Sequence, residues 1–115
     1  MSSASATKQF FFVYAPDLPG AAQRRFAFAG AHQAKNAPLL ESGFIRVGGG
    51  LLKPDVTADT PNVMGNIVGS FLLIQAENID VVKKTLQDDI YYTSGEVWDV
   101  DKLVILPALV GTPVP

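Results

Sequence analysis

His32 is the only histidine in the chain, and its neighbours Ala27, Ala29, Gly30, Ala31 and Ala34 are small enough to leave space around it. An imidazole exchanges protons near neutral pH, and a carboxylate against one ring nitrogen fixes its tautomer and stabilises its charged form. Asp89 could supply that carboxylate from the segment ahead of the last strand. Tyr14 and Tyr91 carry phenolic donors on otherwise apolar segments and could line a pocket for a ring-shaped substrate. Arg25 could steer an anion, and Gly49, within Gly48-Gly49-Gly50, could let a ligand approach the backbone. Each residue also has a plainer use: a histidine bonded to backbone, an Asp88-Asp89 pair ending a helix in solvent, core tyrosines with satisfied hydroxyls, an exposed helix arginine, glycines at a bulge.

Several chemistries are excluded by what the chain lacks. Without cysteine there is no thiolate, no disulfide and no sulfur-based zinc site. One histidine and one aspartate are too few ligands for a metal, and no further carboxylates stand at a recognisable ligand spacing. The glycine run lacks the Lys-Ser/Thr of a phosphate-cradling loop. Nine basic and eleven acidic residues give a net charge of −2, with the basic residues spread along the chain, which argues against nucleic acid as a partner. No apolar run approaches the roughly 18 residues that span a bilayer, and MSSASATK lacks the apolar core of a secretory signal. A cytoplasmic location agrees with both observations.

The elements that must position these residues follow from periodicity and punctuation. Residues 1 to 8, without apolar period, read as a disordered tail ahead of one domain over residues 9 to 115. Gln9 to Ala15 is an aromatic and β-branched strand closed by Pro16-Asp17 and Pro19-Gly20. From Ala21 to Ser42, Phe28, His32, Asn36 and Leu39 recur on one helical face, with Gly43 as the stop. Pro38 inside this helix predicts a kink or restart near Asn36, because proline has no N–H and crowds the preceding turn. Phe44 to Gly50 is a second strand, and residues 53 to 69 a long connection able to cover a site. Ser70 to Ala76 is a third strand, Asn78 caps a helix to about Gln87, residues 88 to 96 form a loop, and Val97 to Leu106 is the fourth strand.

This βαββαβ order is that of a ferredoxin-like α+β fold, with both helices on one face of a four-stranded antiparallel sheet. The other face would be expected to alternate with polar residues if it met water. FFFVY, FLLI and LVIL are instead apolar throughout, which predicts a homodimer.

With the elements placed, the chain resembles the YCII-related (YciI-like) family over residues 10 to 107. The resemblance is carried by Tyr14-Ala15-Pro16-Asp17, Arg25 seven residues before His32, Gly43 and Gly49 around the second strand, and Asp89-Ile90-Tyr91 with Gly95. It implies a dimeric ferredoxin-like α+β barrel in which His32 and Asp89 are the catalytic pair. Ile90, Gly50 and Ala29 depart from residues common in the family, and Ala29 removes a cation often found there. The expected function is a lyase or isomerase moving a proton on a small cyclic or unsaturated, aromatic or lactone-like, substrate. His32 would be acid and base, Asp89 its orienting partner, Tyr14, Arg25, Gly49 and Tyr91 the substrate contacts, and no cofactor is needed. A non-catalytic ligand-binding or regulatory dimer and a cofactor-independent monooxygenase are the alternatives.

Overall fold

A computed structural model describes residues 8–115; the expected tail therefore lies, except for Lys8, outside the described residues. Four strands, β1 (Gln9–Pro16), β2 (Ile45–Leu52), β3 (Ile67–Ala76) and β4 (Val104–Ala108), form one antiparallel sheet in the order β2-β3-β1-β4. Helix α1 (Ala22–Glu41) joins β1 to β2, and α2 (Ile79–Gln87) with the single-turn α3 (Ile90–Thr93) joins β3 to β4. This is the ferredoxin-like α+β arrangement that the element order predicts.

Alternation along the two central strands separates the faces. Phe11, Val13 and Ala15 of β1 and Leu72, Ile74 and Ala76 of β3 are buried beneath the helices, where Val82 and Leu86 of α2 meet them. Their intervening neighbours point to the opposite face, where Phe12 and Tyr14 are more than 40% exposed. Asn78 caps α2 by accepting a hydrogen bond from Val81 N, and Gly43, at φ +81°, ends α1 in the left-handed region that glycine adopts without Cβ strain.

Several elements differ from the sequence expectation. Helix α1 runs through Pro38 to Glu41 without a restart, and the Pro38 carbonyl still accepts from Ser42 N. Pro38 stands in the last turn of α1, where only three helical residues follow it, and Asn36 lies beside His32 instead of serving as a cap. Strand β2 continues through the three glycines to Leu52, and β3 starts at Ile67, three residues before the expected Ser70. The connection between them carries a 3₁₀ turn at Val63–Asn66. The segment 88 to 96, expected as loop, contains α3. Strand β4 begins only at Val104, because Val97 and Trp98 sink into the core, Trp98 bridging to Asp17, and Val100–Lys102 forms another 3₁₀ turn. Among the described residues no helix is long and apolar enough to cross a membrane.

Candidate functional site

Among the described residues Arg25, Ser70 and Asp89 are buried polar residues in one region between α1, the β2–β3 half of the sheet and α3, and the Asp17 side chain is buried beside Arg25. Buried polar groups are retained only where partners satisfy them.

Asp89 follows Asp88, the C-cap of α2, and opens α3. Its Oδ1 accepts from Tyr91 N at 2.9 Å as the N-cap of α3. That contact offsets the unfavourable placement of a carboxylate just past the C-terminus of α2. The same carboxylate meets His32 Nδ1 at 2.8 and 2.9 Å and is 2% exposed. A carboxylate only accepts, so Nδ1 carries the hydrogen, and in the neutral ring Nε2 carries the lone pair.

The imidazole is held on both faces. Tyr91 stacks on one, with centroids 3.9 Å apart and planes 9° from parallel. Asn36, one helical turn beyond His32, sets its Nδ2 at 3.3 Å from Nε2 and 3.4 Å from Nδ1. Two nearly equal distances to nitrogens that flank Cε1 require the amide to lie over the ring, since in the plane it would collide with Cε1–H. Tyr91 fills one face, so Asn36 covers the other, and it also reaches Asp89 Oδ2 at 3.4 Å. The in-plane direction of the Nε2 lone pair is thus not occupied by Asn36. Trp98 meets the imidazole edge-on at 6.3 Å.

A second polar group adjoins the first through Tyr91. The Arg25 guanidinium lies 4.7 Å from the Tyr91 ring centroid, binds Asp17 with two contacts of 2.8 Å, and donates to Ser70 Oγ at 2.7 Å. Trp98 Nε1 also donates to Ser70 Oγ, at 3.2 Å. The Tyr91 hydroxyl donates to the Arg25 carbonyl at 3.2 Å, and burial, the largest influence, pushes its pKa above the ordinary 10.0.

Both groups border a cavity of about 350 Å³, within the range of small-molecule sites. Its walls are mostly apolar: Ala29, Phe26 and Leu40 of α1, Ile45 of β2, Met64 from the 3₁₀ turn, and Ile67 and Leu72 of β3. His32, Gln33, Asn36, Arg25, Ser70 and Trp98 supply its polar side chains, and Tyr91 adds its ring.

The residues singled out from sequence are distributed unequally. His32 and Asp89 are in contact, and Tyr91 and Arg25 adjoin them. Tyr91, however, contributes its ring, because its hydroxyl is bonded to backbone. Arg25 is buried and paired with Asp17, so it is neither the exposed helix arginine of the plainer reading nor a free cation for steering anions. Tyr14 is not brought to this cavity: it lies on the other face of the sheet, between Phe71 and Val104, because Val13 and Ala15 take the helix side. Gly49 pairs with Phe71, and a Cβ there would meet the Phe71 ring at 2.8 Å, on that same outer face. The backbone of Gly49 nevertheless lines the cavity together with Gly48 and Gly50, which stand opposite Leu72 and Ser70. Of the long connection, only Met64 and Ile67 border the cavity. Asp17, Asn36, Ser70 and Trp98 complete the site beyond the residues that the sequence singles out; Asn36 shares the helical face of His32, Asp17 lies in the piece Tyr14-Ala15-Pro16-Asp17, and Trp98 is the solitary tryptophan, while Ser70 carries no signal. Among the described residues no three histidine, aspartate or glutamate side chains gather as metal ligands would.

Fold and site together define a small ferredoxin-like α+β protein with a histidine–carboxylate pair at a helix-to-sheet cavity. No family model and no curated protein matches the chain. Among solved structures it is similar to 5-chloro-2-hydroxyhydroquinone dehydrochlorinase (TftG) from Burkholderia phenoliruptrix AC1100, solved in complex with 2,5-dihydroxybenzoquinone. The identity is 28%, over 89% of this chain and 95% of that one, with a TM-score of 0.75. PA3566 from Pseudomonas aeruginosa aligns at 12% identity over 90% of this chain and 96% of its own, with a TM-score of 0.46.

Proposed function

We propose that this chain is a YCII-related lyase or isomerase that moves a proton on a small cyclic or unsaturated substrate, without a cofactor, and works as a homodimer. The observation that carries the reading is the 2.8 Å contact of His32 Nδ1 with buried Asp89 beside an apolar cavity. Asp89 holds the ring with its Nε2 lone pair available, and it stabilises the imidazolium formed when that nitrogen takes a proton. In an elimination, Nε2 removes a proton from carbon, the freed C–H pair becomes a new double bond, and the leaving group departs with its own bonding pair. The imidazolium then returns the proton to the leaving group or to water. In an isomerisation the same nitrogen returns it to a different carbon.

The likeness to TftG, a dehydrochlorinase crystallised with a dihydroxybenzoquinone, supports elimination on an oxygenated ring. A cavity of about 350 Å³ with aromatic and aliphatic walls suits one substituted ring.

The test is chloride release from 5-chloro-2-hydroxyhydroquinone, followed by a panel of hydroxylated haloaromatics and lactones. Replacing His32 by Ala is expected to lower turnover by about 10²-fold or more with the fold retained. Equal turnover in wild type and variant would remove the acid–base assignment, and quinone binding without turnover of any panel member would leave a ligand-binding protein.

A further inference from the structure

A serine hydroxyl has one hydrogen to donate and two lone pairs with which to accept. Both acceptor positions of Ser70 are in use: Arg25 donates at 2.7 Å and Trp98 Nε1 at 3.2 Å, and neither group can accept in return. The Ser70 O–H is left with no acceptor among the described residues, although Ser70 is 5% exposed. Buried donors without acceptors are costly and uncommon in folded proteins. Ser70 borders the cavity, and its cross-strand neighbour Gly50 has no side chain to screen it. The cavity is therefore where an acceptor has room.

We propose that Ser70 is the substrate-oxygen donor of this site, and that the substrate is a ring carrying a carbonyl or phenolate oxygen directed at β3. This rests on the reading that the cavity holds the substrate. Arg25 and Trp98, by donating to Oγ, polarise the hydroxyl and strengthen what it gives. Asp17 balances the Arg25 charge, so the group offers a directed hydrogen bond and not a net cation.

The placement complements His32. When Nε2 takes a proton from the carbon next to a carbonyl, the C–H pair forms a carbon–carbon double bond and the carbonyl π pair moves onto oxygen. Ser70 donates to that oxygen as its charge grows. The oxygen pair then returns to rebuild the carbonyl, and the double-bond pair expels a leaving group from the adjacent carbon or takes a proton from imidazolium. Donors aimed at a developing oxyanion in a water-poor site contribute more than the same donors in solution.

The experiment measures by calorimetry the affinity of the full chain for 2,5-dihydroxybenzoquinone and for p-xylene, a ring of similar outline without oxygen. Ser70→Ala is expected to weaken the quinone by about tenfold to a hundredfold and to leave p-xylene unchanged, the scale of losing one charge-assisted hydrogen bond. Ser70→Thr, which keeps the hydroxyl, should retain quinone binding. Because Ser70→Ala also strips Arg25 and Trp98 of an acceptor, a wild-type crystal soaked with the quinone gives a second reading, with a quinone oxygen expected within about 3.2 Å of Oγ. Wild-type affinity in Ser70→Ala, no quinone affinity in the wild type, or a soaked quinone whose oxygens all lie away from Oγ would overturn the proposal. The His32→Ala variant separates the two readings: it tests proton transfer by turnover, while its quinone affinity still reports on Ser70.

Discussion

Tyr91 shows how one side chain joins the parts of the site. Its backbone N–H is capped by Asp89, its ring stacks on His32 and lies against Arg25, and its hydroxyl ties back to α1. Burial raises its pKa above 10.0, with Asp89 and Asp17 adding to the shift and Arg25 opposing it. The folded chain thus holds this proton more tightly than the unfolded chain does. Its contribution to stability is complete below pH 10 and is lost as pH rises through the folded value. Tyr91→Phe keeps the stacked ring and loses one hydrogen bond, so it should cost about 1 kcal/mol near neutral pH. Thermal unfolding across pH 9 to 11.5 should show the wild type losing stability more steeply than the variant; parallel curves would contradict the assignment. In the sequence His32 stands out as the solitary histidine, whereas only the resemblance to the YCII-related family separates Asp89 from its neighbour Asp88. Asp17, Ser70 and Trp98 could not be found, because their meeting depends on the register of β1 with β3 and on a bridge between Asp17 and Trp98 that no local pattern announces.

At the scale of elements, composition gave the number and order of strands, and punctuation placed half of their ends to within one residue. One failure concerns the faces of β1: where every residue suits a strand, alternation has no phase. In FFFVY each position is apolar, so nothing local says that Phe11 faces the helices and Tyr14 does not. Val97 to Leu106 differs from the strand reading for another reason: Val97 and Trp98 are drawn into the core, and Asp99, Asp101 and Lys102 belong to the turn that precedes β4. The glycines of β2 and β3 divide by what surrounds them. A Cβ at Gly69 would lie 2.9 Å from the Ala15 carbonyl oxygen and 3.2 Å from Pro16 Cα, both backbone atoms of β1. A Cβ at Gly48 would lie 2.9 Å from Leu72 Cδ2, the free end of a side chain. Gly69→Ala must push two paired strands apart and should cost about 1–3 kcal/mol. Gly48→Ala should stay within about 1 kcal/mol of the wild type, since Leu72 can turn aside and the unfolded chain loses freedom. Urea unfolding of the two variants decides the matter: equal costs would mean that strand spacing at Gly69 is looser than the β1–β3 register requires.

The whole molecule is asymmetric about its sheet. One face carries the helices, the core and the cavity; the other presents two cross-strand rows, Leu106–Phe12–Leu73–Val47 and Val104–Tyr14–Phe71 ending at Gly49. Phe12 at 43% and Leu106 at 56% exposure lie side by side on neighbouring strands. Contiguous apolar surface of this kind is uncommon on stable monomers, and a second copy facing it sheet to sheet is the self-complementary solution. Light scattering at micromolar concentration is expected to report the mass of two 12.3 kDa chains. Phe12→Lys places an ammonium in the middle of the shared face and should shift the protein to one chain. Phe12 points away from α1, so this variant should keep its far-ultraviolet circular dichroism and bind quinone at the cavity within a few-fold of the wild type. A wild type that scatters as a single chain would end the dimer proposal. Loss of quinone binding in a folded Phe12→Lys monomer would instead mean that the two faces of the sheet are coupled, with β1 and β3 carrying the dimer contact through to Ser70 and the cavity wall.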